Sequence, residues 1–241
     1  MVSRTISIQR AENQLPIRPR ISEGGVIEGV RNVPSPNCDE RPAGGAIDLL
    51  VIHSISLPPG EFGGAGIVDL FTNRLLPDAH ASYAAIAGVK VSAHFLIRRD
   101  GGLIQFVPCA KRAWHAGKSS WKGRTRCNDF SIGIELEGTD EVPFTAAQYR
   151  RLAALTRVLQ ARYPIRDIAG HSDVAPGRKT DPGPHFDWAR YRALLKNKAE
   201  PQRTPRTPRK SRNRTAKNAK KTKTRFRTAK APRRQRKSKQ N

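Results

Sequence analysis

AIDLLVIH, residues 46–53, is an apolar run that follows Gly44-Gly45 and stops at a histidine. Its length and composition read as a strand buried in a sheet, with His53 at its end. A second run of the same kind is FSIGIEL, residues 130–136, with Gly133 inside it and Glu135 near its close. VSAHFLIR (91–98) alternates as a strand does, Asp100-Gly101-Gly102 is a hairpin turn, and 103–107 is the returning strand. Between these lie helices. Residues 67–73 read as a short one. Over 145–163 a longer one places Tyr149, Leu152, Leu155, Thr156, Val158 and Leu159 at helical spacing. Thr145 is its expected N-cap, Gln148 completes a capping box, and Pro164 closes it. A last helix is expected over 186–195. Strands mixed with helices and one hairpin give an α/β fold, a mixed central sheet flanked by helices.

The chain has 241 residues, enough for one domain with a full core plus extensions. Residues 1–25 read as a loose N-terminal extension, in which Ile6 and Ile8 alternate as a short strand would. Residues 26–198 form the expected domain, and 199–241 a basic tail. The charge divides sharply: residues 1–200 hold 27 Lys+Arg against 20 Asp+Glu, and residues 201–241 hold 18 Lys+Arg with no acid. With one aromatic, Phe226, such a tail is expected to be disordered. Its charge suits sequence-independent contact with phosphates of nucleic acid, an anionic surface, or no partner at all. The first residues hold no apolar run of secretion-signal length, and no stretch approaches the roughly 18 apolar residues of a membrane helix. Three widely spaced cysteines (Cys38, Cys109 and Cys127) suggest no disulfide framework. A cytoplasmic, reduced setting and a monomer are the expectation.

Several polar residues stand where hydrolytic chemistry would want them. His53 ends a strand, while His171 and Asp181 lie ten residues apart in the loop GHSDVAPGRKTDPGP. Two imidazoles and a carboxylate leave a fourth tetrahedral position for water, the layout of a catalytic zinc. Glu135, a carboxylate in an apolar strand, suits a general base that later acts as acid. Lys179 suits stabilisation of an oxyanion. Each has a plainer reading: a core histidine at 53, a loop-stabilising one at 171, a turn at Asp181, a buried ion pair at Glu135, a solvated charge at Lys179.

Taken together, VPSPNCDERP (33–42), LLVIHSISLPPGEFGG (49–64), VSAHFLIRRDG (91–101), KRAWHAG (111–117), RCNDFSIGIELEGTD (126–140) and GHSDVAPGRKTDPGPHFDW (170–188) resemble the AmpD-type 1,6-anhydro-N-acetylmuramyl-L-alanine amidases. The resemblance runs from about 30 to 195. It implies zinc (Zn2+) held by His53, His171 and Asp181, with Glu135 and Lys179 catalytic. It implies an anhydromuropeptide substrate met by Trp114, Arg126, Asn128, Lys90 and Ser54. Ser54 stands where close relatives often carry Asn, and Lys90 where some carry Arg, which changes the carboxylate contact available. His94 and His115 are expected behind the metal or along the groove, and His80 and His185 as ordinary loop residues. The alternatives are a peptidoglycan-binding protein without activity on the same fold, or an amidase acting on intact wall, with a tail that binds nucleic acid.

Overall fold

A computed structural model of the protein describes residues 19–197. The expected strand at Ile6 and Ile8 and the tail 199–241 lie outside the described residues. The first elements are β1 (Arg31–Asn32), β2 (Cys38–Glu40), β3 (Leu49–Ile55) and helix α1 (Gly66–Phe71). They are followed by β4 (Phe95–Ile97), β5 (Leu103–Gln105), β6 (Lys111–Ala113), β7 (Ser120–Trp121), β8 (Arg124–Thr125) and β9 (Ser131–Glu137). Helix α2 (Ala146–Arg162), β10 (Asp167–Gly170), the single turn α3 (His171–Val174) and α4 (Trp188–Lys196) complete the order.

Six strands form the central sheet in the order β1-β5-β4-β9-β3-β10. β4, β9, β3 and β10 run parallel, and β5 returns antiparallel to β4. β3 and β9 sit in the middle and are apolar on both faces because both faces are covered. Even-numbered Leu50, Ile52, Ile132 and Ile134 pack with Leu152, Leu155 and Leu159 of α2 and with Tyr191 of α4. On the other face Leu49 and Val51 meet Ala116, Cys127, Phe130 and Val174. A separate cluster lies under α1, where Ile67 and Phe71 meet Leu96, Ile104 and Phe106.

The mixed sheet flanked by helices is as expected, and so is the start of α2. Thr145 Oγ1 accepts from Gln148 N–H (3.1 Å), and Gln148 Oε1 accepts from Thr145 N–H (3.0 Å). Two boundaries differ. The strand expected over 91–98 is reduced to three residues, because Ser92 N–H turns to the Trp114 carbonyl (3.1 Å) outside the sheet ladder. The described end of the extension expected over 1–25 belongs to the packed body: Ile21 pairs with Ile27, and the Gln105 side chain donates to the Gly25 carbonyl (2.8 Å). Gly25 lies so close to Cys109 and Ala110 that a Cβ would come within 2.6 Å of their backbone nitrogens. Among the described residues no helix is long and apolar enough to cross a membrane.

Candidate metal centre

β3 and β9 carry the first part of the site as direct partners. In their parallel register His53 lies opposite Glu135. Both side chains are buried, His53 1% and Glu135 8% exposed. The second part comes from the end of β10. His171, expected within a loop, is instead the first residue of the turn α3, which holds it rigidly at the sheet's edge. Asp181 returns from the following loop, fastened by its carbonyl, which accepts from Ser172 N–H (2.8 Å).

These three residues bring their ligand atoms together. His53 Nδ1 is 3.0 Å from His171 Nδ1, and each is 3.1 Å from Asp181 Oδ2. A tetrahedral ion with donors at about 2.0–2.1 Å has donor–donor edges of about 3.3 Å, so the triangle has the right size. Among the described residues they form a group able to hold a metal. The other nitrogen of each ring is engaged elsewhere: His53 Nε2 faces His115 Nδ1 at 2.9 Å, and His171 Nε2 faces the Ala116 carbonyl at 3.2 Å. A proton on each Nε2 leaves two imidazole lone pairs and a carboxylate aimed at one point. Such a convergence suits a cation.

Electrostatics divides the groups by role. Burial pushes the His53 imidazole down to about 4, with the Asp181 hydrogen bond opposing, and holds His94 and His115 well below the ordinary imidazole range. Asp181 is pushed up by burial, yet the adjoining His171 and His53 rings hold it well below the carboxylate range. Glu135 goes the other way. Burial first and the Asp181 charge second raise it well above the ordinary value, against the pull of Lys179. Its Oε2 is buried without a hydrogen-bond partner. Lys179 itself is exposed, close enough for its charge to act on both His53 and Glu135.

Acid lability follows. An unfolded histidine binds its proton near pH 6.5, whereas His53, His94 and His115 in the folded metal-free chain bind theirs only at lower pH. Glu135 has the opposite sign, its carboxyl holding a proton more tightly when folded than when unfolded, and so works against the histidines. Stability of the metal-free protein should therefore fall as the pH drops from about 6.5 towards 4.5, the three histidines outweighing the one glutamate. The urea midpoint in chelator across this range measures it, and a midpoint that ignores pH contradicts it.

The other expected contacts are placed unevenly. Trp114, half-buried, precedes His115. Asn128 turns inward, its Oδ1 accepting from the backbone N–H groups of His115 (3.3 Å) and Ala116 (2.8 Å), which makes it a brace for that segment. Arg126 is exposed and paired with Asp129 at 3.0 Å. Lys90 is exposed in the 75–90 segment. Ser54 continues the even-numbered face of β3 towards α2, so its side chain turns away from the His53 ring. Two residues outside the expected set support the site. Arg178 donates to the carbonyls of Ala116 and Lys118, both at 2.7 Å. Arg41, half-buried, donates to the carbonyls of Cys109, Asn128, Asp129 and Ser131. It pins the segment before β9 beside His94, whose Nδ1 accepts from Gly133 N–H (3.0 Å). Both arginines act on backbone carbonyls, which leave no pattern in a sequence, although each lies within one of the quoted strings.

Comparison with known proteins decides the family. Residues 43–184 match the family described as Amidase_2, N-acetylmuramoyl-L-alanine amidase. The chain belongs to this family. The amidase is 58% identical over 178 residues to the 1,6-anhydro-N-acetylmuramyl-L-alanine amidase AmpD of Escherichia coli K12, covering 73% of this chain and 97% of that one. It is 50% identical over 177 residues to the protein of the same name from Haemophilus influenzae, covering 72% and 96%. Among solved structures, a selenomethionine AmpD derivative superposes on the amidase with a TM-score of 0.71, at 58% identity, covering 73% of this chain and 99% of that one. About a quarter of the amidase thus has no counterpart in relatives matched over nearly their whole length.

Proposed function

We propose that the chain hydrolyses the amide between anhydro-N-acetylmuramic acid and L-alanine in peptidoglycan fragments, as a zinc enzyme of cytoplasmic cell-wall recycling. The observation that carries the reading is the meeting of two imidazoles and a carboxylate at one point, with a buried carboxyl beside them whose Oε2 has no hydrogen-bond partner. His53, His171 and Asp181 would hold the ion. Zinc in such a site polarises a carbonyl and makes water acidic near neutral pH. Glu135 is the proton carrier: it takes the proton of the attacking water and returns it to the L-alanine nitrogen as the amide breaks. Burial has already raised the proton affinity of its carboxyl, which suits it to that task. Lys179 sets its positive charge against the oxygen that becomes negative as the carbonyl turns tetrahedral. The products are the anhydro-sugar and the stem peptide.

Purified anhydromuropeptide incubated with the zinc-loaded protein, followed by mass spectrometry, tests the reading. Two fragments split at the lactyl–alanine amide support it; intact substrate with zinc bound favours the binding-protein alternative. Lys179→Ala should lower kcat about 10²–10³-fold, the scale for removing one oxyanion-stabilising donor. A kcat unchanged in this variant removes Lys179 from the chemistry.

The segment 199–241 stands apart. Its 18 cations in 201–241, without a single acid, fit sequence-independent contact with nucleic-acid phosphates. A chain ending at 198 should keep its amidase activity and lose salt-sensitive retention on DNA. Loss of activity instead would make the tail part of the enzyme.

A further inference from the structure

His115 and Ala116 lie behind both imidazoles of the candidate metal centre. His53 Nε2 ends on the Nδ1 of the first, and His171 Nε2 on the carbonyl of the second. One pair of consecutive residues thus meets the outward nitrogen of both rings. An imidazole serves a metal only from the nitrogen that carries no proton, so whatever accepts the opposite N–H decides whether it is a ligand. The Ala116 carbonyl settles the matter for His171, since a carbonyl can only accept. For His53 the partner is a ring that could donate or accept, and its own far nitrogen decides. His115 Nε2 lies 3.2 Å from Ser131 Oγ. When His115 donates there, its Nδ1 is free to accept from His53, and His53 Nδ1 is free for the metal.

The position of the pair is set from several sides. Asn128 Oδ1 takes both of its backbone N–H groups. Arg178 holds the Ala116 carbonyl at 2.7 Å, and with it ties the pair to the loop that brings Lys179 and Asp181. The His115 ring rests on Gly133, where a Cβ would come within 2.5 Å of the ring. The glycine inside β9 is therefore the seat of the ring, which explains an otherwise unfavourable residue in a central strand.

We infer that His115–Ala116 is an outer bracket fixing both metal-ligand imidazoles with Nδ1 free, and that His115 is the positioning residue of His53 through the relay His53–His115–Ser131. The inference rests on the zinc reading above. It does not place His115 in contact with substrate.

The test is zinc affinity of the full chain, measured by competition with a chromophoric chelator, with ¹⁵N histidine NMR of the zinc-free protein as a second readout. His115→Phe keeps a ring and removes the acceptor. It should raise the zinc Kd about 10–100-fold, the usual effect of losing such a partner. His115→Asn, whose amide oxygen can stand in for Nδ1, should recover a large part of that loss, and a role in packing alone would show no such recovery. In the NMR readout, His53 should carry its proton on Nε2 in the unaltered chain and lose that preference in His115→Phe. If His115→Phe does not fold, Ser131→Ala replaces it, with a smaller rise in Kd and the same change at His53. A folded His115→Phe, or in its absence Ser131→Ala, that binds zinc as tightly as the unaltered chain overturns the bracket. An unaltered chain that binds no zinc overturns the metal reading instead.

Discussion

A Glu135→Gln chain is expected to bind zinc as the unaltered protein does and to lose turnover by about 10²–10⁴-fold, the range that general acid–base catalysis supplies. The substitution keeps the shape of a side chain that fills a buried position in the middle of β9, so the sheet should not notice it. It removes only the capacity to accept a proton. That capacity is what the surroundings of Glu135 enhance: burial and the nearby Asp181 both raise its affinity for a proton, and its Oε2 makes no hydrogen bond that would compete. A carboxylate present only for structure would be expected to satisfy both oxygens. Stopped assays with zinc at saturation, beside a direct zinc titration, separate the two effects. A kcat within a factor of ten of the unaltered chain would take Glu135 out of the proton-transfer step, and weakened zinc binding would show it to be part of the metal's surroundings.

Asp181→Ala is expected to abolish activity through the metal. Asp181 contributes the only formal charge of the triangle, within 3.1 Å of both imidazole nitrogens. Without it two neutral rings face each other, and a divalent ion loses both a donor and its charge partner. The consequence can be read without substrate. Zinc at 100 times its Kd should raise the stability of the unaltered chain by about 2.7 kcal/mol. At that same concentration Asp181→Ala should show little gain in Tm over its own metal-free form. A variant that zinc stabilises as strongly as the unaltered chain would show that the two histidines suffice and that Asp181 has another duty.

How much of this could be read from the residues alone depended on where each signal resides. β3 and β9 announced themselves because both their faces are covered, which forces an unbroken apolar run that shows up any polar member; His53 and Glu135 were therefore visible. The start of α2 was visible because a capping box is a local contact between residues three apart. β6, β7 and β8 were not expected. They are two or three residues long, and their pairing joins segments through geometry that no period records. Asn128 and Ser54 show the same limit in the site. Resemblance names both as substrate contacts, and the fold adds what no motif records: Asn128 Oδ1 braces the backbone of His115 and Ala116, and Ser54 lies on the face of β3 opposite His53. Gly133 was legible as an oddity in a strand; its reason, the ring of His115, lies eighteen residues away in sequence and is apparent only in three dimensions.

The pairing of His53 with Glu135 across β3 and β9 has an evolutionary corollary. Their separation is written into a ladder of main-chain bonds, so no change in the connecting loops can stretch or shorten it. A deletion of one residue within β9 would turn every later side chain to the opposite face and remove Glu135 from His53. The segments 57–66 and 75–90 are under no such constraint. Lineages with this scaffold are therefore free to vary the length and chemistry of those loops while His53 and Glu135 stay opposite each other.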